Sequence, residues 1–594
     1  MKVIKRNGSE VEFDRHKIVV AVTKAFMDQP GYTNSDMSYC AVKIADEIAN
    51  LAKTKDLHVE EIQDIVERKL MSTRYKETAK AYINYRYLHG LARDQYKEMM
   101  DAVAEKLTAK NVQNQNANVD EASFGGRVGE ASDVVMKKYA LEYLVSPMAR
   151  ANHENNEVYI HDLNSYAVGS HNCLSIPFDD LLAKGFNTRQ TDVRPAQSIN
   201  TAFQLVAVIF QIQSLQQFGG VSATHLDWTM VPYVRKSFWK HFRDGLAWVE
   251  QNNYSEMWTM TNTDADRSID DKFWKQHHTD AYNYAMEMTE RETKQAVEGM
   301  YHNLNTLQSR SGNQLPFSSI NYGTCTLPEG RMVTKALIEA SIKGVGKLHK
   351  TSIFPCGIFQ CMKGVNRKSG DPNYDLFKLA LKSTAQRLYP NYANVDWSGN
   401  AGYDINDPRT YFSTMGCRTA NGWDINGFGQ LKDGRGNICP VTIIMPTLAM
   451  QAKEEYITDV MMDRDSISAA DIFIQKLDQK IHEAKDMLIE RFEWICSQSP
   501  DAAKFMYENN VMAGYIPEEG IRSALKHGTI VIGQLGLAET LQILIGCDHT
   551  EERGMELAKQ IEQLFKDRCA EFKNECKLNF GVYYTPKIFL GWRK

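Results

Sequence analysis

Hydrophobic and polar positions change period several times along this chain of 594 residues. At the start, "VIKRNGSEVEFD" alternates in two short runs around Asn7-Gly8, a dipeptide that favours a tight hairpin turn. A helical period follows. Ile18, Val19, Val22, Ala25 and Phe26 form one apolar face; Ile62, Ile65, Val66 and Leu70 form a second; Ala79, Ala81, Tyr82, Tyr85 and Leu88 form a third. Residues 1–95 therefore read as a compact α+β unit of two strands and several helices. From about residue 105 to 132 the text is polar and rich in Asn and Gly, which predicts a loop or linker. Beyond it, strand candidates "VYIHDL", "FSSINYGT", "IFPCGIF" and "VTIIMP" alternate with amphipathic helices such as 471–495 and 550–575. That alternation predicts an α/β fold with a sheet or barrel centre. Near the end Leu578, Phe580, Val582 and Tyr584 alternate with smaller or more polar residues, which predicts a strand.

Composition narrows the class. The chain is 43% hydrophobic and 24% charged, as in a soluble globular protein. With 69 Lys+Arg against 74 Asp+Glu the net charge is −5, so no basic nucleic-acid surface is expected. Lys2, Lys5 and Arg6 are not followed by an apolar run, so no signal peptide opens the sequence. The longest uncharged stretch lies between Arg194 and Asp227. Gln204, Gln211, Gln213, Gln216 and Gln217 interrupt it, and such amides are costly in lipid, so a buried helix is expected and no membrane span. The 11 cysteines are odd in number and scattered, which points to a reducing cytoplasm with free or catalytic thiols. No C-x-x-C pair occurs, and neither Cys356/Cys361 nor Cys569/Cys576 has zinc spacing, so no metal site is expected.

Two groups of residues carry candidate chemistry. Lys5, Arg6 and Lys17 fall close together in a small unit, and three cations suit a polyphosphate. On charge alone a solvated basic face explains them better. Cys173 follows a strand-like segment in "YIHDLNSYAVGSHNCLSIPFDDLL", and Cys417 sits in a Gly-flanked turn in "YFSTMGCRTANGWD". "SRSGNQLPFSSINYGT" is a polar loop leading into a strand. Taken singly, a cysteine is most often a buried structural residue and such a loop is a turn.

Taken together these stretches resemble known families. "VIKRNGSEVEFDRHKI", with "ETAKAYINYRYLH" closing the unit, resembles the ATP-cone regulatory domain, which also occurs in a family of transcriptional repressors. The resemblance implies ATP or dATP as allosteric effector near Val3, Lys5, Arg6 and Lys17. From about Asn111 to Pro586, "YIHDL", "HNCLS", "QQFGGVSA", "GNQLPF", "DPNYD", "YPNY" and "MGCR" occur in the order of the anaerobic (class III) ribonucleotide reductases, which they resemble. The fold implied is a ten-stranded α/β barrel of the glycyl-radical type, with a central finger loop that carries a thiyl-radical cysteine. Cys173 matches that cysteine, and Cys417 matches the second cysteine, across the substrate. A thiyl radical takes the 3′-hydrogen of the ribose, which eases departure of the 2′-hydroxyl, and the second thiol returns hydrogen to C2′. Ser311, Gly312, Asn313 and Gln314 are candidate contacts for the ribonucleoside triphosphate. The family further implies a radical-SAM iron–sulfur activating enzyme, a homodimer, and formate or a thiol as reductant. Ile444, in "PVTIIMP", stands where some members have an asparagine linked to formate, which leaves a thiol in contention. The helix around 197–218, with Ser198, Thr201, Gln204 and Gln211, resembles the family's dimer interface and effector site, and equally fits a generic buried helix.

The expected organisation is an ATP-cone at 1–95, a catalytic barrel at 96–586, and a tail at 587–594 without family character. Two C-x-x-C pairs for zinc and a glycine motif that stores the radical are expected of the family and are absent from this sequence. The expectation is that 587–594 arise from an insertion, a frameshift or a split gene. The competing readings are a nucleotide-binding fragment without turnover and a pyruvate formate-lyase-type enzyme. An oxygen- or cobalamin-dependent reductase would carry a C-terminal redox cysteine pair, which this sequence lacks.

Overall fold

The computed structural model describes residues 2–6, 8–27, 33–108, 123–251, 265–310, 312–416, 419–464 and 467–585. They fall into two compact units, Met1–Ala104 and Glu105–Lys594.

In the first unit β1 (Lys2–Ile4) and β2 (Glu10–Glu12) pair antiparallel, with Val3 opposite Val11. The Lys5 amide donates to the Ser9 carbonyl at 2.8 Å, and Gly8 turns the chain at φ +79°, a conformation that glycine adopts without strain. A third strand, β3 (Leu57–His58), lies parallel to β1. With two residues it is too short to leave an alternating pattern. Leu57 shares one core with Ile18, Val22, Phe26, Ile44, Ile48, Val66 and Leu70 from three helices. Tyr85 and Leu88, expected on an apolar face, are exposed.

The second unit is built on two sheets. Its strands are β4 (Val158–Ile160), β5 (Leu174–Ser175), a small hairpin β6 (Phe186–Asn187) and β7 (Asp192–Val193), β8 (Val221–Ala223) and β9 (Ser318–Tyr322). They continue with β10 (Cys356–Cys361), β11 (Asn391–Asn394), β12 (Asn437–Ile444), β13 (Thr529–Leu535) and β14 (Asn579–Thr585). One sheet runs β11-β10-β9-β8-β5, all parallel, and the other β14-β13-β12-β4, with only β4 antiparallel. Parallel neighbours need helical crossovers, which explains the alternation of strands and long helices in the sequence. The sheets join where β5 meets the start of β12. There the Asn172 amide donates to the Ile438 carbonyl at 3.0 Å, and the Asn437 amide to the Cys173 carbonyl at 2.9 Å. Among the described residues nine strands form this wall, in the expected α/β barrel class.

Side chains alternate across the wall. On the outer face Phe359 packs against Phe377 of the helix Tyr374–Arg387, and Gln534 bonds Glu562 of the helix Glu552–Cys576 at 2.9 Å. Ser222, Ser319, Asn321 and Gln360 take the other face of their strands. In the second sheet Thr442, Gly533 and Tyr583 are in register on three adjacent strands. The missing side chain at Gly533 lets Tyr583 Oη reach Thr442 Oγ1 at 3.1 Å and His161 Nε2 at 2.9 Å.

One sequence expectation needs correction. Residues 124–132 are not loop: the helix Phe124–Tyr139 begins there, capped by Ser123 Oγ, which accepts from the Gly126 amide at 3.0 Å. Its glycines misled the reading because they serve packing. A Cβ on Gly129 would stand 2.7 Å from Gly312 Cα, and one on Gly125 would collide with the Asn313 amide. The helix Ile199–Gln213 is indeed a buried helix, with Phe203, Val206 and Phe210 in the core. No helix among the described residues is long and apolar enough to cross a membrane.

Candidate active site

The connection from β11 to β12, residues 395–436, passes along the polar face of the first sheet. Gln360 Nε2 donates to the Phe412 carbonyl at 3.0 Å. Asn321 takes both backbone groups of Thr414, donating to its carbonyl at 3.0 Å and accepting from its amide at 3.1 Å. Ser222 Oγ donates to the same carbonyl at 3.0 Å, and Ser319 Oγ accepts from the Gly416 amide at 3.0 Å. Residues 412, 414 and 416 are thus gripped in turn by four buried side chains of β8, β9 and β10. The chain then turns between Met415 and Thr419, closed by a 2.7 Å backbone bond. The return limb fastens to the second sheet. Asp424 accepts from His527 at 2.7 Å and from Asn579 Nδ2 at 2.8 Å. Phe428 stacks on the His527 ring, centroids 3.9 Å apart.

This placement corrects one expectation. Cys173 is not on a finger loop. It immediately precedes β5, and backbone bonds tie it into the wall. The loop that crosses between the sheets is 395–436, in which Met415 and Thr419 pair. The polar text of "SHNCLS" reads as loop because the strand after it has two residues. Cys417 itself lies outside the described residues, as does Ser311.

Cys173 is buried, and Phe317 lies against both Gly220, whose amide bonds the cysteine, and Gly416 of the turn. A Cβ on Gly416 would touch Phe317 at 3.2 Å, a Cβ on Gly220 would touch it at 2.8 Å, and the Gly220 amide donates to Cys173 Sγ at 3.3 Å. Behind the cysteine, Gln213 Nε2 donates to Gln217 Oε1 at 2.7 Å. Gln217 Nε2 in turn donates to the carbonyls of Asn172 and Gly220, each at 2.9 Å. The amides that argued against a membrane span therefore brace the cysteine's turn.

A cavity of about 370 Å³ opens beside this turn, lined by Asp133, His171, Gln217, Arg310, Gly312 and Gln314 among others. Arg310 stacks on Phe218 with its guanidinium 4.8 Å from the ring centroid and donates to the Phe218 carbonyl. Burial lowers its pKa, opposed by Asp162, Cys173 and Asp133. Burial also lowers His171 to about 4, which keeps it neutral, and its Nε2 lies 2.9 Å from Met506 Sδ. Of the expected substrate contacts, Gly312 and Gln314 line the cavity. Asn313 instead donates its side-chain amide to Ser123 at 3.0 Å. Arg310 was missed, because a lone arginine before a turn carries no signal.

In the first unit the Val3 side chain is buried, which leaves only its backbone for a ligand. Arg6 is held by Glu60 and by Gln63, the latter at 3.0 Å, while Lys5 and Lys17 are exposed.

A charge cluster joins the loop's return limb to the first sheet. His225 Nε2 lies 3.0 Å from Asp179, its Nδ1 lies 3.9 Å from Asp433, and Thr224 donates to Asp433. Burial acts against charge on His225, but Asp179 and Asp433 outweigh it and raise the imidazole to about 9. Burial raises Asp433 to about 6. A histidine raised in the folded state stabilises fully below its unfolded pKa of about 6.5, and that contribution is lost as pH rises through about 9. Between pH 7 and pH 9.5 the protein is expected to lose roughly 2–3 kcal/mol of folding stability from this group. His225→Gln should flatten that slope in urea melts; an unchanged slope would refute the assignment.

Residues 115–587 match the family "Anaerobic ribonucleoside-triphosphate reductase", and residues 1–91 match "ATP cone domain". The anaerobic ribonucleoside-triphosphate reductase of Haemophilus influenzae is 28% identical over 98% of this chain and 76% of its own length. That of Enterobacteria phage T4 is 26% identical over 82% of this chain and 72% of its own length. The crystal structure of the anaerobic ribonucleotide reductase from Thermotoga maritima, in complex with dATP and CTP, superposes with a TM-score of 0.54 at 15% identity. The superposition covers 84% of this chain and 75% of that one.

Proposed function

The chain belongs to the family of anaerobic ribonucleoside-triphosphate reductases, and from that premise we propose that it reduces ribonucleoside triphosphates to 2′-deoxyribonucleoside triphosphates by thiyl-radical chemistry, under allosteric control by ATP and dATP. The observation that carries this reading is the polar clamp that brings Gly416 against Phe317, which also lies against Gly220, whose amide bonds Cys173. A thiyl-radical cysteine acting at C3′ and a thiol acting at C2′ must flank one ribose in a site shielded from water, and a loop held between two sheets supplies such a site.

In the family's mechanism the loop cysteine abstracts the 3′-hydrogen, so that role falls to Cys417. Cys173, fixed in the wall, then returns hydrogen to C2′. Arg310, Gly312 and Gln314 contact the substrate from the neighbouring cavity. In the family a radical-SAM activating enzyme generates a glycyl radical that would take the hydrogen atom from the loop cysteine; the glycine motif that would hold it is not in this sequence. A thiol reductant is favoured over formate, because Ile444 ends β12 with a buried aliphatic side chain that offers formate no hydrogen bond. A homodimer through the helix Ile199–Gln213 is part of the same reading. Gln204 is exposed there and the buried Gln211 Nε2 has no hydrogen-bond partner.

The test is an anaerobic assay of the protein, with a glycyl-radical segment of the family supplied as a separate polypeptide, together with the activating enzyme, S-adenosylmethionine and each ribonucleoside triphosphate, and with either formate or dithiothreitol. Deoxyribonucleotide formed with dithiothreitol is the expected result. No product under either condition overturns the reading, and product with formate alone overturns the reductant assignment.

We assign residues 1–95 as the effector-binding module. In the full chain, the double substitution Lys5→Ala, Arg6→Ala is expected to weaken ATP binding at least ~10-fold in titration calorimetry, since each lost charge-assisted contact is worth about 1.5–3 kcal/mol. Unchanged affinity would move the site elsewhere.

A further inference from the structure

Asn172 is fixed at every polar atom. Its amide donates to Ile438, and its carbonyl accepts from Gly219 at 3.1 Å and from Gln217 at 2.9 Å. Its side-chain nitrogen donates to Asp162 Oδ2 at 2.8 Å, and its side-chain oxygen accepts the Cys173 thiol at 2.9 Å. Gly219 leaves room for this arrangement, because any Cβ there would collide with Asn172. Asp162 is held in the left-handed region at φ +55° at the exit of β4, which turns its carboxyl back toward Asn172. Burial raises the Asp162 carboxyl while Arg491 and Arg310 oppose that rise. In either protonation state its oxygen accepts from the Asn172 amide.

An amide has one accepting end and one donating end. Because Asp162 occupies the donating end, only the oxygen is left to face sulfur, and an oxygen acceptor requires that the sulfur carry its proton. We propose that Asp162 and Asn172 are positioning residues that hold Cys173 as a protonated thiol. A hydrogen-atom donor needs this form, since a thiolate has no hydrogen atom to give. With Gly220 donating to the same sulfur at 3.3 Å, the thiol is fixed from both sides. This rests on the proposed donor role of Cys173, but its test requires no turnover, so the two can fail separately.

The test is the pH dependence of iodoacetamide alkylation at Cys173, read by peptide mass spectrometry on the anaerobic full-length protein and on Asn172→Ala and Asp162→Ala. Easier access multiplies the rate equally at every pH. Loss of the anchor moves the midpoint. The midpoint is expected to fall by about one pH unit in both variants, which is roughly tenfold faster alkylation at neutral pH. Protection of the buried Cys439 marks a folded variant. Should Asn172→Ala lose that protection, Asn172→Gln is measured in its place and is expected to keep a midpoint near wild type, because its amide oxygen still accepts the thiol proton. An unchanged midpoint in both alanine variants, or a midpoint in the glutamine variant lowered as far as in the alanine variants, overturns the proposal. A shift in Asn172→Ala alone removes Asp162 from it.

Discussion

Cys173→Ser is expected to abolish deoxyribonucleotide formation, with a rate at least ~1000-fold below wild type, while ribonucleotide binding stays the same. The substitution exchanges one atom and keeps both neighbours, since a hydroxyl donates to Asn172 Oδ1 and accepts from the Gly220 amide as the thiol does. What changes is bond strength. An O–H bond is far stronger than S–H, so serine cannot return a hydrogen atom to a ribose radical. Chromatography of the products and equilibrium dialysis of the substrate separate the two effects. Residual turnover within tenfold of wild type would show that Cys173 takes no part in the chemistry.

The second large effect is expected at Asn321. Its amide is a buried side chain that takes both the N–H and the C=O of one loop residue, Thr414. Asn321→Leu is close in volume but leaves both backbone groups inside the wall without that partner. Ser222 still serves the carbonyl, so the amide is the group stranded, and urea unfolding should show a loss of roughly 1–3 kcal/mol. The loop turn would also lose its register, and displacement of about 1 Å at a reacting centre costs on the order of 100-fold in rate. Ile320→Val, one position along on the outer face, is expected to cost only about 0.5–1.5 kcal/mol and to leave the rate unchanged. Equal rate losses from both would mean that the loop is not held through Asn321.

The contrast between these two positions shows where sequence reading works. "FSSINYGT" reads correctly as a strand, because its residues are extended and bounded by turn signals. That Ser319 and Asn321 face a loop and not a helix has no local signature; it depends on β9 being flanked by β8 and β10, which are distant in sequence. The alternation of Leu578, Phe580 and Val582 likewise gave β14, and the helices near 471–495 and 550–575 lie within two residues of their observed ends. The helix Phe124–Tyr139 escaped because its glycines, poor helix formers in isolation, answer to a tertiary contact with Gly312 and Asn313. The site followed the same rule. Cysteine, asparagine and aspartate stood in the quoted "YIHDL" and "HNCLS", but that Asp162 and Asn172 meet around Cys173 depends on the left-handed turn at Asp162, which no residue pattern announces. The placement of Cys173 in the wall depends on its pairing with β12, which lies far along the chain.

Asn579 bonds Asp424 across 155 residues of sequence, and this has a consequence during synthesis. As the polypeptide leaves the ribosome, β8, β9 and β10 emerge together and can assemble while the following segments are still being made. The return limb of the loop has no second anchor until β13 and β14 have been translated and docked. Contacts of such long range are the late steps of folding, because closing a large loop costs entropy before any contact rewards it. The paired ends of the loop's turn, Met415 and Thr419, should therefore remain loose throughout elongation and reach their working position only when the last described strand joins the sheet, after the walls around them are in place.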